Sequence, residues 1–319
     1  MDGTLTEKRP DVFNGAKFSN PNRTLDGGLR AVVRLSRLDT LWFNTGTVCN
    51  LSCSNCYIES SPTNDRLSFL TAKEVALTLD ELQANWQAEE VGFTGGEPFI
   101  NQEISNILDD SLSRGYKVLI LTNAMRPMMK ISDELLSLRK RYDKQLHLRI
   151  SVDHYKPKIH ELERGDHSWH RMMEGLLWLS ENRFNISVAG RTFFHEEEAD
   201  LRQGYANLFE MYGIPIDVEN PAHLVLFPEM DETLDVPEIT SACWDILKVS
   251  PDAMMCATSR MVVKHKGDQN LSVMPCTLLP YDKRFKMGST LAESKSEVSL
   301  NHPHCARFCV LGGGSCSVA

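Results

Sequence analysis

Three cysteines stand within one short segment, Thr47-Val-Cys49-Asn-Leu-Ser-Cys53-Ser-Asn-Cys56-Tyr57, and no fourth cysteine or histidine lies near them. Thiolates at this spacing can wrap a loop around one compact inorganic centre. The missing fourth ligand is what constrains the reading. A structural zinc site closes with four ligands, whereas a four-iron cluster held by three thiolates leaves one iron open to a non-protein ligand. On spacing alone, two other readings stay open: a zinc site completed from afar, and three ordinary buried thiols.

Compartment sharpens the question. Met1 to Asn22 is polar and lacks the apolar core of a signal peptide, and no run of about 18 apolar residues occurs. The chain is therefore expected in the cytoplasm, where thiols stay reduced and structural disulfides are rare. Nine cysteines then call for metal or cluster binding. They are unevenly placed, with the other six between Cys243 and Cys316. A chain of 319 residues has apolar surface enough for a core without such staples. The formal net charge of −9 argues against nucleic-acid and membrane partners.

From about residue 40, apolar runs alternate with helical periodicity. Leu41–Phe43, Val91–Thr94, Val118–Thr122, Leu146–Val152, Ile186–Phe193 and Leu224–Phe227 read as strands. Helices are expected over Thr71–Trp86, opened by a capping box of Thr71 and Glu74, and over roughly 102–114, 131–142, 168–182 and 196–211. Six strands alternating with helices predict a parallel α/β arrangement. The runs are apolar at successive positions, as in strands covered on both faces. The alternation stops near Pro228, so a boundary is placed there. The expected units are a lead-in over 1–38, a barrel over 39–230 and a loop-rich, metal-organised unit over 231–319.

The cysteine loop follows the first strand, where α/β barrels carry catalytic loops. Cys49-x3-Cys53-x2-Cys56 at that place resembles the signature of the radical S-adenosylmethionine superfamily. Tyr57 follows the third cysteine as in many members; Asn55 stands where an aromatic or His is common, and is not a ligand position. Gly95-Gly96-Glu97-Pro98 after the second strand is similar to the family's Gly-Gly-Glu element. Its glycines let backbone approach a ligand, and this segment with the Glu97 carboxylate is expected to hold the α-amino group of a methionine moiety. Asn123 after the third strand, Ser151 and Asp153 after the fourth, and Arg191 on the fifth match positions of polar contacts to ribose and carboxylate. Each is also an ordinary turn, cap or salt-bridge residue.

The resemblance implies a partial (β/α)6 barrel binding S-adenosylmethionine and a [4Fe-4S] cluster on Cys49, Cys53 and Cys56. One electron from flavodoxin or ferredoxin would cleave the sulfonium and release a 5′-deoxyadenosyl radical that abstracts hydrogen from a substrate. The cysteine-rich end resembles a reduced SPASM/twitch extension, with Pro275-Cys276 and the closing Gly312-Gly313-Gly314-Ser-Cys316. Six cysteines suit one auxiliary [4Fe-4S] cluster. Cys256, Cys276, Cys309 and Cys316 are its expected ligands, with Cys305 the alternative to Cys309 and Cys243 the outside choice; four thiolates also suit zinc. Cys243 and Cys305 are then left as candidate catalytic thiols that quench a substrate radical, or as small buried hydrophobes.

His302 and His304 flank this group and read as surface or supporting residues. Arg126, His154, Tyr155, His195 and Glu197 follow strand ends and are candidates to line the substrate pocket. The expected substrate is a small polar, sugar-like metabolite that is oxidised or epimerised. The alternatives are maturation of a ribosomally made peptide, and a non-enzymatic iron–sulfur or zinc protein.

Overall fold

The computed structural model describes residues 15–192, 196–228 and 234–314. Its strands are β1 (Val32–Val33), β2 (Thr40–Asn44), β3 (Glu90–Thr94), β4 (Lys117–Thr122), β5 (Leu146–Ser151), β6 (Asn185–Thr192), β7 (Leu224–Pro228), β8 (Ser259–Val263), β9 (Ser272–Met274) and β10 (Val298–Ser299). Its helices are α1 (Ala72–Asn85), α2 (Ile104–Ser113), α3 (Arg126–Met129), α4 (Ser132–Tyr142), α5 (Pro157–Arg164), α6 (Ser168–Glu181), α7 (Glu198–Tyr212), α8 (Cys243–Leu247) and α9 (Met255–Thr258). A π-helical turn spans Cys305–Leu311. None of the described helices is long and apolar enough to cross a membrane.

The six expected strands pair in sequence order, β2 to β7, all parallel. Helical crossovers of one hand put the helices on one face, and a sheet wound in a single direction curls into a partial barrel. Thr71 caps α1 as the sequence predicts: its hydroxyl accepts from the Glu74 N–H at 3.2 Å, and the Glu74 carboxylate accepts from the Thr71 N–H at 2.9 Å.

Both faces of the sheet are covered, which explains the continuous apolar runs. Leu41, Phe43, Val91, Phe93, Ile120, Leu148 and Ile150 pack on the helices. Trp42 and Leu119, on the opposite face, share a second core with Met261, Val263, Met274, Cys256, Cys276 and Cys305 of the C-terminal segment. Gly92 sits against Trp42; a Cβ there would lie 2.4 Å from the indole.

Two strands absent from the sequence reading extend this sheet. β8 lies parallel to β2, with Leu41 beside Arg260, and β9 returns antiparallel to β8. They are short and separated by the polar stretch Lys264–Asn270, which left no alternating pattern to read. The lead-in is fastened to the same segment. β1 pairs with β10, and buried Arg30 meets the Glu238 carboxylate while also donating to the Leu300, Asn20 and Arg23 carbonyls.

Candidate active site

β2 and β3 end flush, Asn44 beside Thr94, and the cysteine loop springs from that edge. The Gly-Gly-Glu segment is what the loop rests on. Gly96 N–H donates to Gly46 O at 2.8 Å, and Glu97 N–H to Val48 O at 3.2 Å. A Cβ on Gly95 would lie 2.4 Å from Gly46 O, and one on Gly96 2.3 Å from Val48 O. Gly95 also has φ +147°, a backbone conformation that L side chains rarely adopt. The glycines therefore seat the cysteine loop, and two of their neighbouring amides are committed to it rather than to a ligand.

One cavity at the strand ends is bordered by all three loop cysteines together with Tyr57, Gly95, Gly96, Asn123, Ser151, Asp153 and Arg191. An apolar part of its wall is formed by Phe227 and Pro228 of β7 and by Leu278 and Phe308 of the C-terminal segment. Glu97 and Pro98 stand behind the wall. The Glu97 carboxylate turns to the end of β4, accepting from Thr122 Oγ1 (2.9 Å), Asn123 N–H (2.8 Å) and Phe99 N–H (3.3 Å). Burial pushes it up to about 7 against those bonds. In this structure Glu97 thus anchors Asn123, whose own amide reaches Asn50 Oδ1 at 3.0 Å and Cys49 Sγ at 4.0 Å.

The polar wall holds a residue the sequence reading missed. Arg164, the last residue of α5, grips Asp153, borders the cavity, and its charge reaches the Cys53 and Cys49 thiols. Burial lifts the Asp153 carboxyl, but Arg164 and Arg191 outweigh it and hold it below its ordinary value. Arg191 Nε lies 3.6 Å from Asp153 and its Nη2 donates to Asn55 O at 2.9 Å. The Asn55 amide in turn donates to both oxygens of Glu163, at 3.1 and 3.0 Å. Ser54 N–H donates to Glu163 O at 2.8 Å and Ser54 Oγ to Leu162 O at 3.2 Å. The end of α5 is thereby stitched to the loop between Cys53 and Cys56. Asp153, expected as a contact to a ligand, is engaged with Arg164 and Arg191, and Arg191, expected likewise, with Asp153 and Asn55 O.

The donor set suits a cluster. Burial pushes the Cys49 thiol up to about 12, and the Glu97 charge adds to it. Burial likewise raises Cys53, against the pull of Arg164. Such thiols ionise when a metal supplies positive charge. Ser60 N–H donates to Cys56 Sγ at 3.3 Å, the kind of bond that tunes an iron–sulfur ligand. A four-iron cluster asks for three sulfurs held apart around it, one per iron, and Cys49, Cys53 and Cys56 all border the one cavity.

The second cysteine group lies beneath the sheet. Cys256, Cys276 and Cys305 are buried, Cys243 and Cys309 partly so. Burial, then the neighbouring Cys256, drives Cys305 up to about 12. Neither Cys243, whose Sγ accepts from Thr240 N–H at 3.4 Å, nor Cys305 borders the cavity. Cys316 and His195 lie outside the described residues. Arg126, His154, Tyr155 and Glu197, expected along the pocket, do not border it. His154 and Tyr155 instead face Glu196, at 3.3 and 3.2 Å, and fasten the end of β5 to the start of α7.

A barrel wound this way, with three open thiols at the end of its first strand, defines the class. The family model described as "Radical SAM superfamily" matches residues 43–205, and the chain belongs to that superfamily. Its cofactors are S-adenosylmethionine and a [4Fe-4S] cluster. The chain is 33% identical over 277 residues to the antilisterial bacteriocin subtilosin biosynthesis protein AlbA of Bacillus subtilis, a match covering 80% of this chain and 58% of that protein. It is 28% identical over 112 residues to an S-adenosylmethionine-dependent nucleotide dehydratase of Selenomonas ruminantium, covering 34% of this chain and 37% of that one. Among solved structures, Streptococcus suis SuiB bound to S-adenosylmethionine shares the fold at a TM-score of 0.58 and 15% identity, over 82% of this chain and 64% of that chain. Native anSMEcpe with bound AdoMet does so at 0.57 and 12%, over 80% and 79%.

Proposed function

We propose that this chain modifies a ribosomally made peptide by radical chemistry started at the Cys49–Cys53–Cys56 loop. The observation that carries the substrate class is the 33% identity to the bacteriocin biosynthesis protein across 80% of the chain. It favours the peptide alternative over the small polar metabolite expected from the sequence. The shorter match to the nucleotide dehydratase supports the small-molecule reading over 34% of the chain only.

Cys49, Cys53 and Cys56 would hold the [4Fe-4S] cluster, which when bound supplies the electron that splits S-adenosylmethionine and frees a hydrogen-abstracting radical. The chain's residues do the rest. Asn123, Ser151 and the Arg164 guanidinium form a polar wall suited to ribose hydroxyls and a carboxylate. Phe227, Leu278 and Phe308 face it, offering an apolar seat for a peptide side chain and excluding water. Cys256, Cys276, Cys309 and Cys316 would hold one auxiliary [4Fe-4S] cluster, with Cys305 as the substitute for Cys309. Oxidation, which leaves product two hydrogens poorer, is the favoured outcome, because neither Cys243 nor Cys305 borders the cavity to quench a radical.

The test is co-expression with short peptides encoded beside this chain's gene, followed by mass spectrometry. A peptide lighter by two hydrogens, and unchanged with C49A/C53A/C56A, is expected. Unmodified peptide from an enzyme that cleaves S-adenosylmethionine while consuming a nucleotide or sugar would overturn the peptide reading. Deoxyadenosine production by the triple variant would overturn the cluster assignment.

A further inference from the structure

Arg260 on β8 is fully buried. Its Nε donates to Ser294 O at 2.9 Å, and its Nη1 to Cys256 O at 2.6 Å and Ser259 O at 2.7 Å. Nη2 is buried with no hydrogen-bond partner among the described residues. Among the described residues no carboxylate pairs with this guanidinium; the acidic groups whose charge reaches it are the thiols of Cys256 and Cys276.

A buried cation without a counter-ion is costly, and a guanidinium does not escape by losing its proton. Neutral thiols are no remedy, because they carry no charge. The arrangement becomes favourable when those sulfurs are thiolates. Thiolates stay ionised in a buried site when they ligate metal, and an iron–sulfur centre on several thiolates carries net negative charge. Arg260 thus brings charge, burial and a spare donor to such a centre.

We propose that Arg260 is the resident countercharge of the auxiliary centre on Cys256 and Cys276, with Nη2 left to donate to it. The inference rests on the auxiliary-cluster reading above. Arg260 is a positioning and tuning residue. Positive charge and N–H donors beside a cluster favour its more negative, reduced form and raise its potential.

The experiment uses the full chain carrying C49A/C53A/C56A, so that only the auxiliary centre remains, reconstituted anaerobically. Iron and acid-labile sulfide are measured, and a redox titration is followed by electron paramagnetic resonance. R260Q is expected to lose iron or, where iron is kept, to show at least a tenfold lower reduced-to-oxidised ratio at fixed potential, about 59 mV for one electron. R260K keeps the charge and is expected to retain iron and a ratio near the parent's. If the parent itself holds no iron and sulfide, the auxiliary-cluster reading fails and this proposal with it. If the parent holds them and R260Q matches it in both measures, or if R260K is as impaired as R260Q, the countercharge proposal alone is overturned.

Discussion

Arg164 closes a two-pronged ion pair on Asp153, with Nε 2.8 Å from Oδ2 and Nη2 3.0 Å from Oδ1, and both side chains lie almost wholly out of solvent. The pair joins the end of β5 to the end of α5, and α5 is stitched to the cysteine loop through Ser54 and Asn55. One interaction therefore sets the position of the loop, the strand end and a cationic wall of the cavity.

Breaking that pair is expected to be severe. R164A leaves the buried Asp153 carboxylate with only the Arg191 guanidinium, 3.6 Å away, at a cost of up to about 3–5 kcal/mol, read by anaerobic denaturant unfolding. R164K keeps the charge but loses the planar fork. It should fold, yet bind S-adenosylmethionine about tenfold or more weakly, through loss of a charge-assisted bond. Unaltered binding by R164K would show that Arg164 serves the loop alone.

The Gly-Gly-Glu segment yields a test of its structural role. Alanine at Gly95 or Gly96 drives a Cβ into the backbone oxygen of Gly46 or Val48. G95A additionally demands a left-handed conformation, costing about 1–3 kcal/mol. Both variants are expected to lose iron from the loop cluster while retaining the auxiliary iron, by metal analysis after reconstitution. Retention of full iron with weakened S-adenosylmethionine binding would instead assign the glycines to ligand approach.

Acid sensitivity follows from two histidines, His147 half-buried and His160 buried. Burial, then the Arg149 charge, holds His147 down at about 4; burial, then the Arg164 charge, holds His160 at about 3. Histidines of the unfolded chain titrate near about 6.5. Below that pH the unfolded state takes up protons that the folded state refuses, so stability falls as pH drops from about 6.5 toward 4. Each histidine adds up to about 1.4 kcal/mol per pH unit. H160F, which can keep the ring contact to Trp169, should flatten the dependence between pH 7.5 and 5.5 in urea titrations. An unchanged slope would remove His160 from the account.

The barrel strands were legible because most carry apolar residues at successive positions, as Val118–Leu121 does, while Leu146–Ser151 alternates apolar and polar, and α1 because its capping box is written in Thr71 and Glu74. α5 was not legible. Pro157-Lys-Ile-His-Glu-Leu-Glu-Arg164 is short, charged and opened by proline, so no apolar stripe marks it. The sequence reading searched strand ends for site residues and passed over the helix that carries Arg164. Asp153 and Arg191 were picked by position, but only the fold shows that Asp153 is engaged by both Arg164 and Arg191. Glu97 was singled out as a ligand contact; its burial behind the cavity wall depends on how β4 ends, which no local pattern encodes.

The apolar wall gives the last prediction. Phe308, on the π-helical turn, packs at a tilt against Phe227 of β7 with ring centroids 5.6 Å apart, and both rings border the cavity beside the cysteine loop. The C-terminal segment thus supplies part of the wall of the barrel's own cavity. A radical formed there must meet its substrate before it meets another hydrogen donor, such as an exchangeable thiol, so the wall acts by exclusion. F308A removes a large buried ring and leaves a gap, at about 3–5 kcal/mol if the site does not collapse. F308L fills most of that volume and controls for folding. The expected signature is uncoupling: F308A still forms deoxyadenosine, but the ratio of deoxyadenosine to modified product rises several-fold, and heavy water as solvent places more deuterium in the deoxyadenosine. F308L should stay near the parent ratio. If F308A loses deoxyadenosine and product in equal proportion, Phe308 supports the fold or the binding of S-adenosylmethionine and does not shield the radical.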